Sequence, residues 1–298
     1  MTDETSAIAV IVPCRGHAVE LARCLEALLA QDAEINVDLV VVDSAGDDAV
    51  RQCVESFPGV RLVRGESTQL GPGAARNAGV RATRAEKLLF CDADCAPEPG
   101  WLAGGIKALE QGHVLVTGPV GDLLARPIAI ADNLLQFVDF SPNRPPGKVT
   151  HAPGCNLAVK RSDFESAGGF ADGIGEDVRL SQDIAPDGAW FEPDMRQRHL
   201  GRRTIRDMLS HHRSFGVARG QYGLLLKPWH RRLGALLVFQ PFIVMKRYAY
   251  IVKRTAQYRP ARLPLVAALT PLLLPGLWAW ATGFRHGLET STDETHGR

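Results

Sequence analysis

The chain has no CxxC pair among its six cysteines, no basic stretch running into an apolar one at its start, no internal repeat and no low-complexity segment. Each absence removes a class. Without paired spacing, Cys14, Cys24, Cys53, Cys91, Cys95 and Cys155 do not read as a metal or disulfide framework, and reduced thiols are expected. Cys91 and Cys95 flank two aspartates, where a metal role competes with the plainer reading of small buried residues at a strand end. The start, MTDETSAIAV, lacks the pattern of a secretory leader, so the catalytic part is expected in the cytosol. With 45% hydrophobic against 22% charged residues, the chain reads as one large globular domain with a substantial appendage, disordered only at its ends.

Acid is scarce in one stretch. Residues 196 to 262 hold 16 Lys or Arg against a single acid, Asp207, whereas the first 195 residues hold 16 basic and 29 acidic residues. Such asymmetry calls for an anionic partner, a membrane surface or nucleic acid. Apolar residues interleaved with the cations favour an anionic membrane surface and argue against nucleic acid.

Short apolar runs alternate with helical patterns over the first 120 residues: Ile8–Val12, a helix with Leu21, Leu25 and Leu28 on one stripe, Leu39–Asp43, Val60–Val63, a Gly- and Ala-rich helix over 72–82, Lys87–Asp94, a helix from Trp101, and a strand over 113–120. Strands without polar alternation, separated by helices, predict a doubly wound α/β sheet covered on both faces. Ligands of such sheets lie beyond the C-terminal strand ends, where the strand order reverses. From Arg126 to Pro153 the pattern loosens, and SPNRPPG predicts a long loop that could cover a substrate. Beyond it, Asn156–Lys160 and AWFEP read as strands, with a helix over GEDVRLSQDIAPDG ending at Pro186.

A GxGxxG loop is also missing. Cys14-Arg15-Gly16-His17 stands after the first strand instead, which excludes the usual dinucleotide-binding turn. What is present is Asp92-Ala-Asp94 at the end of an apolar strand. Two carboxylates on a tight turn can hold a hard divalent cation that bridges the phosphates of a nucleoside diphosphate and stabilises the charge developing as a sugar–phosphate bond breaks. Upstream, GPGAARNAGV opens a helix whose free N–H groups and Arg76 suit an anion; its small residues would equally serve close packing. In Gly175-Glu176-Asp177, the aspartate shares a helix face with Leu180 and Ile184, either as an inward base or as a cap on the helix dipole.

Taken in order, IAVIVPCRG and its helix, VVVDSAGDD, GPGAARNAGV, LLFCDADC, GCNLAVKRSDFESAGGF and GEDVRLSQDI resemble the family 2 glycosyltransferases, which have the GT-A fold, over roughly residues 8 to 200. The resemblance implies a mixed, mainly parallel sheet and a nucleotide-sugar donor. It places Asp43 and the segment around Pro13 at the base or ribose, and Arg76 near the base or diphosphate. Asp92 and Asp94 become the ribose-diphosphate and metal motif for Mg²⁺ or Mn²⁺. Asp177 becomes the general base of an inverting transfer, with Glu176 assisting or binding the acceptor. His199 either joins the metal or diphosphate or is a surface histidine. VVVDSAGDD stands where the family more often has DDGS. Processive polysaccharide synthases of the family carry QxxRW; neither Trp190 nor Trp229 has such neighbours, so one sugar per encounter is expected.

Toward the C-terminus, residues 231 to 254 mix apolar residues with Lys246, Arg247, Lys253 and Arg254, as in a helix lying on anionic lipid. Leu263–Phe284 has no charge and is long enough to span a bilayer, though Pro264, Pro271 and Pro275 also fit a re-entrant hairpin or a helical cap. The expected division is a GT-A catalytic domain over 1–200, a basic amphipathic helical region over 201–262, an apolar membrane-associated or transmembrane helix over 263–285 and a polar tail over 286–298. It works at the cytoplasmic face of the cell membrane, peripheral or single-span, on an acceptor that is unknown and could be lipid-linked. Two rivals are a nucleotidyltransferase, against which the loop PCRGHAVEL argues, and an inactive nucleotide-binding membrane scaffold, against which Asp92, Asp94 and Asp177 argue together.

Overall fold

The computed structural model describes residues 7–31, 35–64, 70–222 and 237–293. It divides into two compact units, the first formed by Met1–Leu123 with Pro142–His199, the second by Leu124–Ser141 with Leu200–Arg298.

The first unit begins with β1 (Ile8–Cys14), α1 (Ala18–Leu29), β2 (Val37–Asp43), α2 (Asp48–Glu55), β3 (Val60–Arg64), α3 (Pro72–Arg81) and β4 (Lys87–Cys91). Val10 to Val12, Val40 to Val42 and Leu88 to Phe90 are all buried, as strands with helices on both faces require. In α1 the residues Leu21, Cys24, Leu25 and Leu28 form the buried stripe at helical spacing. Gly79 of α3 lies so close to Ile11 that a Cβ there would strike its side chain, so the small residues of this helix do serve close packing on the sheet.

Continuing along the chain are β5 (Cys95–Pro97), α4 (Trp101–Glu110), β6 (Leu115–Thr117) and β7 (Val120–Asp122); after α5 (Pro127–Phe137) come β8 (Gly147–Val149), β9 (Asn156–Lys160), α6 (Arg161–Ser166), α7 (Glu176–Ile184), β10 (Ala189–Phe191) and β11 (Gln197–His199). Eight strands form one mixed sheet in the order β3-β2-β1-β4-β9-β6-β10-β8. The pairs β1–β2, β2–β3, β1–β4 and β6–β10 are parallel, while β9 runs antiparallel to both β4 and β6. The chain winds outward from β1 to β3 and returns with β4 on the other side of β1, so the order reverses between β1 and β4.

Three further strands, β5, β11 and β7, form a small second sheet. The single strand expected over 113–120 is in fact β6 and β7, in different sheets. Gly118-Pro119 breaks it: Pro119 has no N–H to give, and a side chain at 118 would strike the Met195 carbonyl. Buried Asn156 ties these parts together, accepting from Trp101 Nε1 at 2.8 Å and donating to the carbonyls of Met195 at 3.1 Å and Pro119 at 3.3 Å.

The loop expected over 126–153 is a correction. Residues 127–137 are the helix α5, opened by Pro127 at its first turn, and 147–149 form β8. Helix α5 belongs to the second unit, so the catalytic domain expected over 1–200 is interrupted at 124–141. Ala131 and Leu135 of α5 join Met208, Val244, Ile251, Val266, Leu273 and Leu277 in that unit's core.

The second unit continues with α8 (Ile205–Tyr222), a helix over Gln240–Tyr258 and a last helix over Leu263–Asp293. The last helix runs unbroken past Pro271 and Pro275, which rules out the hairpin reading, and it is long and apolar enough to cross a membrane. The helix continues into the segment expected as a polar tail from 286, reaching Asp293, and Leu288 is buried. The first part of the basic segment expected over 231–254, with Trp229 before it, lies outside the described residues, as do residues 294–298.

Along one seam of this unit, Gly216 and Gly220 of α8 meet Gly283 and Gly287 of the last helix. A Cβ on any of the four would fall on a backbone carbonyl of the opposite helix, those of Trp280, Phe284, Arg213 and Val217 respectively. Backbone cannot step aside as a flexible side chain can. Gly283→Leu is therefore expected to cost about 2 kcal/mol or more and to lower the unit's thermal midpoint by roughly 10 °C, read by circular dichroism of the purified chain. An unshifted midpoint would mean that the two helices do not meet there.

Candidate active site

The C-terminal ends of β1, β2 and β4 converge where the strand order reverses. Pro13 and Cys14 close β1, with Cys14 paired to Asp43 at the end of β2. Asp43 is buried. One carboxylate oxygen accepts the N–H groups of Ala45 and Gly46, both at 3.0 Å, and turns the chain; the other is buried with no hydrogen-bond partner. A carboxylate held rigid by one oxygen with the second unsatisfied is poised to accept from a ligand. The Cys14 thiol is pushed up to about 12 by burial and then by Asp43, so it stays protonated. Where a glycine-rich loop would follow β1, Gly16 and His17 both adopt left-handed backbone, His17 at φ 63°, making a sharp turn.

Arg76, in the second turn of α3, is buried and joins motifs far apart in sequence. Nη2 donates to Asp92 Oδ1 at 2.6 Å and Nη1 to Glu176 Oε1 at 2.9 Å, while the guanidinium lies 5.3 Å from the centre of the Phe170 ring. Burial opposes its charge, but the carboxylates of Asp92 and Glu176 outweigh that, and its pKa lies above the ordinary arginine range. Glu176 is raised to about 7, by burial and then by neighbouring Asp177, against the pull of Arg76. Gly154 makes the arrangement possible: a Cβ there would come within 2.9 Å of the guanidinium.

Asp177 follows Glu176 in the first turn of α7, which Gly175 opens with a left-handed φ of 85°. It is half-buried, whereas Glu176 is the more deeply buried acid of the two. Asp177 Oδ2 accepts the Gly154 N–H at 3.0 Å and Oδ1 the Val178 N–H at 2.8 Å. Ser181 straps the same loop to α7, donating to the Asp177 carbonyl at 2.7 Å and accepting from the Ala152 N–H at 3.0 Å. The carboxylate is thus fixed in direction from two sides, with lone pairs left for a substrate proton.

Asp94 and His199 form a second group. Strand β11 brings His199 to within 3.5 Å, Nε2 to Oδ2, of Asp94 on the turn after β4. His199 is 5% exposed, so it is not the surface histidine that was the alternative. Asp94, Cys95 and His199 each offer a donor atom within 4.8 Å of the others. A carboxylate and an imidazole this close can share one divalent cation, and the pair suits Mn²⁺ at least as well as Mg²⁺, which favours all-oxygen shells. The two aspartates of the motif are therefore not equivalent: Asp92 faces Arg76 and Asp94 faces His199.

Sequence reasoning passed over Gly154, whose only signal is its place at the head of GCNLAVK, and it gave no hint that Asp92 and Glu176 share one guanidinium.

The sequence matches the family described as Glycosyl transferase family 2 over residues 9–168. Among curated relatives, glycosyltransferase AglE of Haloferax volcanii is 27% identical over 175 residues, covering 57% of this chain and 58% of AglE. The pre-mycofactocin glycosyltransferase of Mycobacterium tuberculosis is 26% identical over 223 residues, covering 70% of this chain and 46% of that protein. The chain thus spans about half the length of these relatives. Among solved structures, the mannosyltransferase PcManGT from Pyrobaculum calidifontis, in complex with GDP-Man and Mn²⁺, aligns with a TM-score of 0.58 at 23% identity over 95% of this chain and 88% of its own. Staphylococcus aureus TarS, in complex with UDP-GlcNAc, aligns at 0.54 with 15% identity over 94% of this chain and 92% of its own. These likenesses give the fold, a GT-A type mixed sheet.

Proposed function

This chain belongs to glycosyl transferase family 2, and we propose that it moves one sugar at a time from a nucleoside-diphosphate donor to an acceptor hydroxyl, inverting the anomeric carbon. The observation that carries this reading is the fixed Asp177 carboxylate, held by the Gly154 N–H on the helix whose Glu176 is tied through Arg76 to Asp92. Asp177 takes the proton of the acceptor hydroxyl as its oxygen attacks the anomeric carbon in line, and the bonding pair of the breaking sugar–phosphate bond passes to the diphosphate. Asp43 and the Pro13 segment bind base or ribose. Arg76 orients Asp92 toward the ribose-diphosphate, and Glu176 keeps Arg76 in place beside the acceptor. Asp94 and His199 hold a divalent cation, Mg²⁺ or Mn²⁺, while Asp92 stays paired with Arg76. When bound, that cation neutralises the charge gathering on the leaving diphosphate.

The same reading puts the chain at the cytoplasmic face of a membrane with a lipid-linked acceptor. Its support is the long apolar helix at Leu263–Asp293 and the cationic stretch before it. In this reading the first unit carries out the transfer and the second, helical unit meets the membrane.

Nucleotide release from UDP-, GDP- and dTDP-sugars, with Mg²⁺ or Mn²⁺ and membrane extract, tests the proposal. Metal-dependent release by the native chain is expected with one donor class. Asp94→Ala should weaken Mn²⁺ binding at least about tenfold, measured by calorimetry in the presence of the released nucleotide. Metal-independent release, or unchanged Mn²⁺ affinity in Asp94→Ala, would remove the cation from this site.

A further inference from the structure

We propose that Cys95 is a third donor to the cation site, giving a carboxylate–imidazole–thiolate set that prefers a thiophilic ion such as Zn²⁺ to Mg²⁺ or Mn²⁺. This rests on the reading that Asp94 and His199 hold the divalent cation.

Strand register puts the sulfur there. In the antiparallel β5–β11 pair, Cys95 lies directly opposite His199. Residues so opposed project to the same face of a sheet, with Cβ atoms about 4.5–5.5 Å apart. Asp94 immediately precedes Cys95, and its carboxylate stands between the two: one oxygen is 3.5 Å from His199 Nε2, the other 3.9 Å from Cys95 Sγ. Around a tetrahedral ion with bonds of 2.0–2.3 Å, neighbouring donors lie roughly 3.3–3.8 Å apart. The His199–Asp94 and Asp94–Cys95 separations are close to that spacing, and the sulfur and the imidazole lie within 4.8 Å of each other. Three protein ligands leave the fourth position open, which is how catalytic rather than structural zinc sites are built, and a diphosphate oxygen fits that position.

The surroundings prepare the sulfur for this role. Cys95 is 1% exposed, and Gln197 Nε2 donates to its Sγ at 3.4 Å, a contact that would steady a thiolate and aim it. Ligation replaces the S–H bond by a metal–sulfur bond and releases the proton to the buffer, and the cation supplies the charge compensation that the apolar setting denies. Mn²⁺ stands at the weak end of the order for nitrogen and oxygen sites; a sulfur donor widens its gap to Co²⁺ and Zn²⁺, while Mg²⁺ gains nothing from it.

Co²⁺ titrated into the full chain, with and without UDP, reads the ligand directly. The native chain is expected to show the visible bands of bound Co²⁺ together with a sulfur-to-cobalt charge-transfer band in the near ultraviolet. Cys95→Ser should bind Co²⁺, lose that band, and lose Zn²⁺ affinity by about 30-fold with Mn²⁺ affinity changed by less than about threefold. Cys53→Ser alters a half-buried thiol of α2, whose Sγ donates to the Ala18 carbonyl, and it should keep both the band and the Zn²⁺ affinity. If native chain binds Co²⁺ without the band, or the band survives in Cys95→Ser, sulfur is not a ligand and Asp94 with His199 stands alone. If Co²⁺ does not bind native chain even with UDP, the cation site itself is overturned. Should Cys95→Ser fail to fold, Cys95→Ala carries the same test: loss of the band with Co²⁺ still bound supports the proposal, and a band that survives overturns it.

Discussion

Asp177→Asn is expected to lower kcat by about 10³-fold while donor affinity moves by less than about threefold, the signature of a lost general base. Asparagine keeps the shape of the side chain and can still accept the Gly154 N–H, but it cannot take a proton. It also accepts on one atom only, so one of the two N–H groups, Gly154 or Val178, goes unpaired. That cost falls on α7 and not on the donor site, so calorimetry with the donor sugar should give nearly the native Kd. A kcat within tenfold of native would assign the base elsewhere, and Glu176 would be the first residue to test. A lost donor affinity would mean that Asp177 binds the donor and not the acceptor.

The second large effect is on stability. Arg76→Met is expected to cost about 3–5 kcal/mol, because it strands Asp92 and Glu176 beside each other without the cation that both contact. For a unit of this size that is a fall of roughly 10 °C in thermal midpoint. Arg76→Lys should recover only part of it, since one ammonium cannot reach two carboxylates in the forked geometry of the guanidinium. Stability should also vary with pH in a defined sense. Glu176 has its folded pKa raised to about 7, so the native state keeps a proton that the unfolded chain gives up near 4.5. Its contribution is full at acid pH and declines as pH rises from about 4.5 to about 7. Glu176→Gln should flatten the midpoint-versus-pH curve in that window, and a curve that keeps the native slope would show that another group is responsible.

Some of this could be read from residues alone and some could not. The strands β1, β2 and β4 announce themselves because burial on both faces demands unbroken apolar runs. Helix α5 did not, since its polar residues Asp132 and Asn133 are themselves buried and no solvent-facing stripe sets a period; the partners of its apolar residues, such as Leu273 and Leu277, lie more than a hundred residues later. The strands of the small sheet are three residues each, too short for any periodic signal, yet that sheet is what carries His199 to Asp94. In Asp92-Ala-Asp94 the two carboxylates are chemically identical in sequence. Only the tertiary positions of Arg76 and His199 distinguish them.

The glycine seam between α8 and the last helix has a bearing on how the protein can be handled and where it can live. Most folded units owe their cohesion to water expelling apolar surface, and they loosen when lipid or detergent offers that surface another home. Helices joined backbone to backbone depend instead on shape and close dispersion contact, which a hydrocarbon surrounding does not weaken. The seam at Gly216, Gly220, Gly283 and Gly287 is accordingly less sensitive to its solvent than the apolar core that the same helices share. It is expected to hold in detergent micelles as it does in water.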